Sequence, residues 1–322
     1  MKKLIANLLP WLITASIGLY IGLTSDWDTV VATLKAADFI GFIPVVIFVV
    51  VTVFLFYTWC LVKLFARFNA PVRYREMLPL KGTSYLLNVI NYNAAAAGIA
   101  LFFRNRKGVP LLEAMGSMLW MNFIDIVSLA TLLLIGLAIS PADVAASLRM
   151  TLTIGAFSIY LILVGSCIYW NLGFDWFFFG RLRSWRIFSG FRDAKMRDYA
   201  YFIGIRTAFV LSYVVSQWAS MPFFNLDASL SQLLLYVPAL TFIGTIPLTT
   251  IAGLGTVQVL MRSFFYDFVP GELTQTAVHS TIDAYSTTSI LTFILCRVLI
   301  GALFMRSVSR DFTNPKHGDA TS

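Results

Sequence analysis

The sequence predicts an all-α polytopic membrane protein with about six full spans plus two oppositely oriented re-entrant helical hairpins in an inverted-repeat arrangement. Three observations carry this reading. Hydrophobic residues make up 58% of the 322 and charged residues only 12%, whereas about a quarter of a soluble domain is charged. Apolar windows near the ~20 residues that cross a bilayer recur along the whole length, leaving no room for a separate soluble domain. Two further windows have a length or composition that a plain span does not explain.

The first window, "MKKLIANLLPWLITASIGLYIGL", has a basic start like a signal peptide. Its apolar run from Leu4 to Leu23 is long for a cleaved segment and has no clear small-x-small cleavage site, so it reads as a retained span. Full spans follow at about 39–62, 114–139, 150–170, 199–224 and 284–305. The stretch from Leu230 to Met261 holds no charge, yet it is too long for one helix and too short for two crossings and a turn. Pro247, Gly253 and Gly255 break it where the chain has to turn round. Gly82 to Phe103 is long enough to cross but carries Asn88, Asn91 and Asn93 before an alanine run and Gly98, which reads as its turn, with basic residues, Lys81 among them, in the loops at both ends.

Charge placement arbitrates between crossing and returning, because Lys and Arg accumulate in short cytoplasmic loops. With both odd windows re-entrant, 19 basic residues lie inside and 2 outside, Lys35 and Arg149. If both cross once the split is 11 to 10, and the better of the mixed arrangements reaches only 16 to 5, so the double hairpin is preferred. Both termini then lie in the cytoplasm, and Asp283, just ahead of the last span, falls in an outer loop. The span at 39–62, a hairpin and the span at 114–139 form one trio, and 199–224, a hairpin and 284–305 form its inverted copy. Ala97-Gly98-Ile99-Ala100 weakly echoes Ala252-Gly253-Leu254-Gly255. Residues 1–310 read as a single integral membrane domain and 311–322 as a polar cytoplasmic tail.

Inverted repeats with broken helices place substrate sites near the bilayer midplane in many transporters. Ionisable residues at that depth are costly and become candidates, here Asp125, Arg206, Arg262 and Arg297. Arg206 and Arg297 read either as a cationic pair for an anionic head group or as side chains that snorkel to the cytoplasmic surface, one of them paired with Asp125. Tyr213 and Gln217 share a helical face with Arg206, and Asn88, Asn91, Asn93, Thr249 and Thr250 are candidates to line the route. Asp125 and Asn122, three apart, read as a proton or ion relay or as a buried structural pair. Arg262 reads as an anchor of the second hairpin at the outer interface.

The loop at 171–198 interleaves Trp176, Trp185 and Phe188 with Arg181, Arg183, Arg186 and Arg192, a pattern suited to an anionic leaflet. It accounts for the net charge of +8 without nucleic acid. Cys60, Cys167 and Cys296 form no CxxC pair, only His279 and His317 are present, and no Gly-Lys-Ser phosphate loop, GxSxG or HExxH occurs. No catalytic residue, metal or cofactor is expected.

Two stretches resemble the lysylphosphatidylglycerol synthase transmembrane region, the flippase-like integral membrane proteins, over roughly residues 35–305. "IPLTTIAGLGTVQVLM" is similar to that family's proline, short run and Gly-(Leu/Ile)-Gly. "NAAAAGIALFFRNRKGVPLLEA" is similar to its glycine-containing segment with a basic residue before the next span. Where many relatives have Arg-Glu after the Gly-x-Gly, this chain has Val257-Gln258, and Ile99 stands where an acid is common. The resemblance implies a protein of the bacterial cytoplasmic membrane that moves lipid between leaflets. The expected partners are membrane lipids, a lipid-synthesis enzyme and a second copy of the chain. A secondary transporter of a small anionic solute and an accessory subunit of an envelope-lipid synthase are the rival readings.

Overall fold

The computed structural model describes residues 18–90, 92–139, 146–172, 179–245 and 256–313. Among them the chain is helical, with no strand. Residues 18–24 are helical and lead into α1 (Trp27–Ala36), α2 (Phe39–Phe68), α3 (Tyr74–Ile90), α4 (Tyr92–Lys107) and α5 (Leu111–Ile139). Then come α6 (Ala146–Leu172), two short helices α7 (Phe179–Ser184) and α8 (Ser189–Asp193), and α9 (Met196–Ser220). The chain continues through α10 (Leu230–Thr245), α11 (Thr256–Phe264) and α12 (Gln275–Thr313).

Five helices are long and apolar enough to cross a membrane, Phe39–Phe68, Leu111–Ile139, Leu148–Asn171, Met196–Phe224 and Gln275–Met305. They coincide with five of the six expected spans, and most of the sixth, residues 4–17, lies outside the described residues. Leu291, Leu295, Leu299 and Leu303 of α12 recur every fourth residue, each at least 55% exposed. A stripe of that kind is a liability in water and a lipid-facing surface in a bilayer. The chain is a multi-pass membrane protein.

Differences from expectation have local causes. Helix α12 starts nine residues before the expected span and is 39 residues long, about 58 Å at 1.5 Å per residue. Asp283 looked like a loop charge; instead it sits inside the helix, paired with Arg262, so it does not end the apolar run. The expected tail begins later, since α12 runs to Thr313, and 314–322 lie outside the described residues. The supposed loop at 24–38 contains α1, whose first turn is capped by the Asp26 carboxylate accepting from the Asp28 amide and the Thr29 hydroxyl.

The described chain forms two compact units, each made of three stretches of sequence: 1–50, 126–160 and 207–294 in the first; 51–125, 161–206 and 295–322 in the second. In the first unit, Ala130, Leu133, Leu137, Ala156, Leu235 and Ala239 form a buried apolar cluster. Gly136 is obligatory there: a Cβ would lie 2.6 Å from the Leu234 carbonyl group, so α5 and α10 meet backbone to backbone. Helices α10 and α11 fold back on one another, with Tyr236 stacked on Phe264 at 5.2 Å between ring centres. The residues between them, 246–255, lie outside the described residues, and with them Pro247, Gly253 and Gly255.

In the second unit, α3 and α4 form an antiparallel pair. The pairing reads directly from Glu76 with Lys107 at 3.1 Å and Leu87 beside Gly98. At 17 and 16 residues, each arm is about 25 Å long, short of a ~30 Å hydrocarbon core. The expected turn at Gly98 instead lies inside α4, which starts at Tyr92. Ala94 to Ala97 are strong helix formers and carry α4 straight through Gly98, which gives Leu87 its space instead. Phe65 stacks on Phe103 at 3.8 Å, and Trp120 packs against Phe68, Tyr199 and Phe202.

Gly136→Ala is expected to destabilise the protein by about 1–3 kcal/mol through overpacking. Gly155→Ala, in a helix where an added Cβ meets nothing within 4 Å, is expected to be neutral or mildly stabilising. Thermal unfolding of the two variants in detergent checks the contrast.

Candidate functional site

The second unit gathers charged side chains from four helices. Arg206 of α9 is 2% exposed, and its Nε donates to the Asp125 carboxylate of α5. Its guanidinium lies 4.7 Å from the ring centre of Tyr57 on α2. On the same ring sits the ammonium of Lys81 from α3, at 4.0 Å, which is also 4.7 Å from the ring of Tyr85 one turn along. Tyr85 in turn carries the guanidinium of Arg297 from α12, at 5.6 Å. The order in space is therefore Arg206, Tyr57, Lys81, Tyr85, Arg297.

Local sequence explains why these groups converge. In α3, Met77, Leu80, Lys81, Ser84 and Tyr85 are all buried, the face expected of residues three and four apart. Lys81 is thus an inward residue of a helix. Two glycines let α3 and α12 approach: a Cβ on Gly82 would meet the Phe304 ring at 2.4 Å, and one on Gly301 would meet Leu86 at 2.6 Å. Gly82 adjoins Lys81 and Gly301 is one turn from Arg297, so the close crossing places both cations beside Tyr85.

The electrostatics are unbalanced. Three cations share a site with one acid, Asp125, whose side chain is 22% exposed. Among the described residues no carboxylate is paired with Lys81 or Arg297. The two tyrosine faces offset part of the cost of holding these charges away from water, by about 0.5–2 kcal/mol for each contact. The remaining excess of two positive charges suits an anion, and guanidinium and ammonium groups both bind phosphate and carboxylate oxygens.

The expected site residues divide. Of the two readings of Arg206, the geometry has the ion pair with Asp125. Arg206 and Arg297 do not form a two-membered clamp; they are linked through the tyrosines and Lys81. Asn122 is half-buried on α5, one turn before Asp125, whose described partner is Arg206. Asn88 is half-buried on the Lys81 face of α3, seven residues on. Asn93 belongs to α4 by its backbone, and Asn91, Thr249 and Thr250 lie outside the described residues.

Tyr213 and Gln217 belong to the first unit, where Tyr213 packs edge-on against Phe209 at 5.3 Å. Gln217 accepts a hydrogen bond from the Tyr285 hydroxyl, which also meets the Ser220 hydroxyl at 2.8 Å. Arg262 is no surface anchor. It is 4% exposed, and its Nε donates to Asp283 at 2.9 Å while Nη1 and Nη2 reach the hydroxyls of Thr24 at 2.9 Å and Ser25 at 3.1 Å. Every guanidinium nitrogen there has a protein partner, the mark of a structural knot.

Sequence reasoning missed Lys81, Tyr57 and Tyr85. Lys81 was assigned to a loop because the apolar window opens at Gly82; extending the helix back to Tyr74 would have set it on the face of Met77 and Ser84. Among the described residues no group of three His, Cys, Asp or Glu side chains could hold a metal ion. No family model, curated protein or solved structure matches this chain.

Arg206→Met is expected to cost about 3–5 kcal/mol, because it leaves Asp125 buried without its cation. Adding Asp125→Leu should recover most of that loss. A double-mutant cycle on thermal unfolding in detergent is expected to give a coupling above about 1 kcal/mol between the two positions.

Proposed function

We propose that this protein moves lipid with an anionic or modified phospholipid head group between the leaflets of a bacterial cytoplasmic membrane. The observation that carries the reading is the buried row of three cations against one carboxylate in the second unit. Such a row is expensive unless an anion visits it, and a transient visitor is what a carrier requires. Lys81 and Arg297, neither of which forms an ion pair among the described residues, hold the head group; Arg206 is locked by Asp125 and shapes the floor. Asn88 adds a neutral polar group two turns along α3.

In this reading the antiparallel pairs α3–α4 and α10–α11 are the two re-entrant hairpins, entering from opposite sides as inverted copies, with both termini in the cytoplasm. Their arms of 16–17 and 9–16 residues support it, since each is shorter than a full crossing. The resemblance to the flippase-like family supports the substrate class. Acyl chains stay in the bilayer while the head group passes the polar row, and energy comes from a gradient or from downhill lipid flow. A lipid-synthesis enzyme that supplies the head group, and a second copy of the chain, are the proposed partners.

Reconstitution in liposomes tests this. Movement of labelled anionic lipid is expected to exceed that of a zwitterionic one, and Lys81→Gln with Arg297→Gln is expected to reduce it at least tenfold without lowering the melting temperature. Unchanged movement in that variant would overturn the assignment. Uptake of a soluble anion in the absence of lipid movement would make the protein a solute carrier instead.

A further inference from the structure

A second basic feature lies in the same unit and shares no residue with the buried row. An open groove of about 1100 Å³ is lined by Lys63, Ala66 and Arg67 from the end of α2, Asn171 from the end of α6, and residues 192–195, 197, 198, 201 and 202 around the start of α9. Its volume is at the upper end of small-molecule sites, which run to about 1,000 Å³. Five cations face two carboxylates in its walls.

Those charges sort into a frame and a surplus. Arg67 grips Asp198 through two bonds, Nε to Oδ1 at 2.8 Å and Nη2 to Oδ2 at 2.7 Å, and Nη2 also donates to the Asp193 carbonyl at 3.1 Å. Asp198 further accepts from the Lys195 amide at 2.8 Å, capping α9. Arg192 donates to Asp193 at 3.3 Å and to the Arg183 carbonyl at 3.1 Å. Both carboxylates are thereby committed. Among the described residues, Lys63, Lys195 and Arg197 make no ion pair, and all three are exposed. The Asn171 side chain adds a polar group, its amide donating to the Cys167 carbonyl at 2.9 Å, and Tyr201, 46% exposed, stands at the edge.

We infer that this groove is a binding site for a phosphate group, with Lys63, Lys195 and Arg197 as its cations and the Arg67–Asp198 pair as its rigid frame. The rigid frame matters because Arg67 and Asp198 hold the ends of α2 and α9 together before any ligand arrives, so little ordering is required on binding. Three exposed cations around an open concavity, Lys63 with its ammonium 5.7 Å from the Trp59 ring centre, match a doubly charged phosphate better than a monoanionic carboxylate. A terminal phosphate on a lipid and free phosphate present the same oxygens, and both fit the volume. A tyrosine at the rim is typical of membrane interfaces, where a lipid head group would arrive.

The test reads binding alone and is run in a Lys81→Gln/Arg297→Gln background, so that anionic lipid held at the buried row does not contribute and its outcome is independent of whether the protein moves lipid. The full chain is placed in phosphatidylcholine nanodiscs and titrated with fluorescent short-chain phosphatidic acid, followed by polarisation. Saturable binding is expected, weakened at least tenfold in Lys63→Gln/Lys195→Gln/Arg197→Gln and unchanged in Lys35→Gln/Arg75→Gln/Arg181→Gln, which removes the same charge elsewhere. Single Lys63→Gln, on the exposed end of α2, is expected to weaken binding severalfold and guards against a folding defect in the triple variant. Displacement by inorganic phosphate would identify the free anion as a ligand, and displacement only by unlabelled phosphatidic acid would identify the lipid. Equal loss in both triple variants, no loss in either, or equal displacement by short-chain phosphatidylcholine would overturn the site.

Discussion

An arginine and an aspartate buried on neighbouring helices set the terms for the second unit. Taking either charge out of water alone costs several kcal/mol, so the pair has meaning only when α5 and α9 lie in one register. Arg206 and Asp125 therefore act as a lock between these helices. Packing around the lock follows: Trp120, five residues before Asp125, is fully buried and meets Tyr199 and Phe202, seven and four residues before Arg206. On α9 the helix face that carries Arg206 also carries these aromatic contacts. A shift of either helix by one turn would break both at once.

Around that lock the unit holds more positive charge than it neutralises. Tyrosine faces make this tolerable, because the ring quadrupole attracts a cation while its rim stays apolar. Glycine makes it geometrically feasible, since Gly82 and Gly301 let α3 and α12 touch where larger residues would keep Lys81 and Arg297 apart. The arrangement is high in local potential and low in steric bulk, the combination that suits a passing anion better than a permanent one.

The first unit treats its charges differently. Arg262 and Asp283 are each about 4% exposed, and both are saturated by partners, with Ser25 donating to Asp283 at 2.8 Å and the Ser280 hydroxyl accepting from the Asp26 amide at 2.8 Å. This network ties residues 24–26 to α11 and α12. A fully satisfied buried network rigidifies its surroundings and leaves nothing for a ligand. The contrast between the two units, one network closed and one left cationic, is the physical basis for proposing an anion site in the second.

Composition and window length sufficed for the membrane class, the all-helical fold and five of the long helices, because a bilayer punishes any exposed backbone polar group and leaves helices of a set length. Arg206, Arg297 and Asp125 were also legible, since an ionisable residue in an apolar run stands out by itself. Partners were not. Lys81 looked like a loop charge, Asp283 like an outer-loop acid and Gly98 like a turn, and each was misplaced because its surroundings are supplied by residues distant in the chain. Whether a charge is costly or neutralised depends on what lies within a few ångströms across helices, and a one-dimensional window holds no such information. Only the tertiary structure decided that Asp125 belongs to Arg206, that Asp283 belongs to Arg262, and that Lys81 and Arg297 share a tyrosine without an ion pair of their own among the described residues.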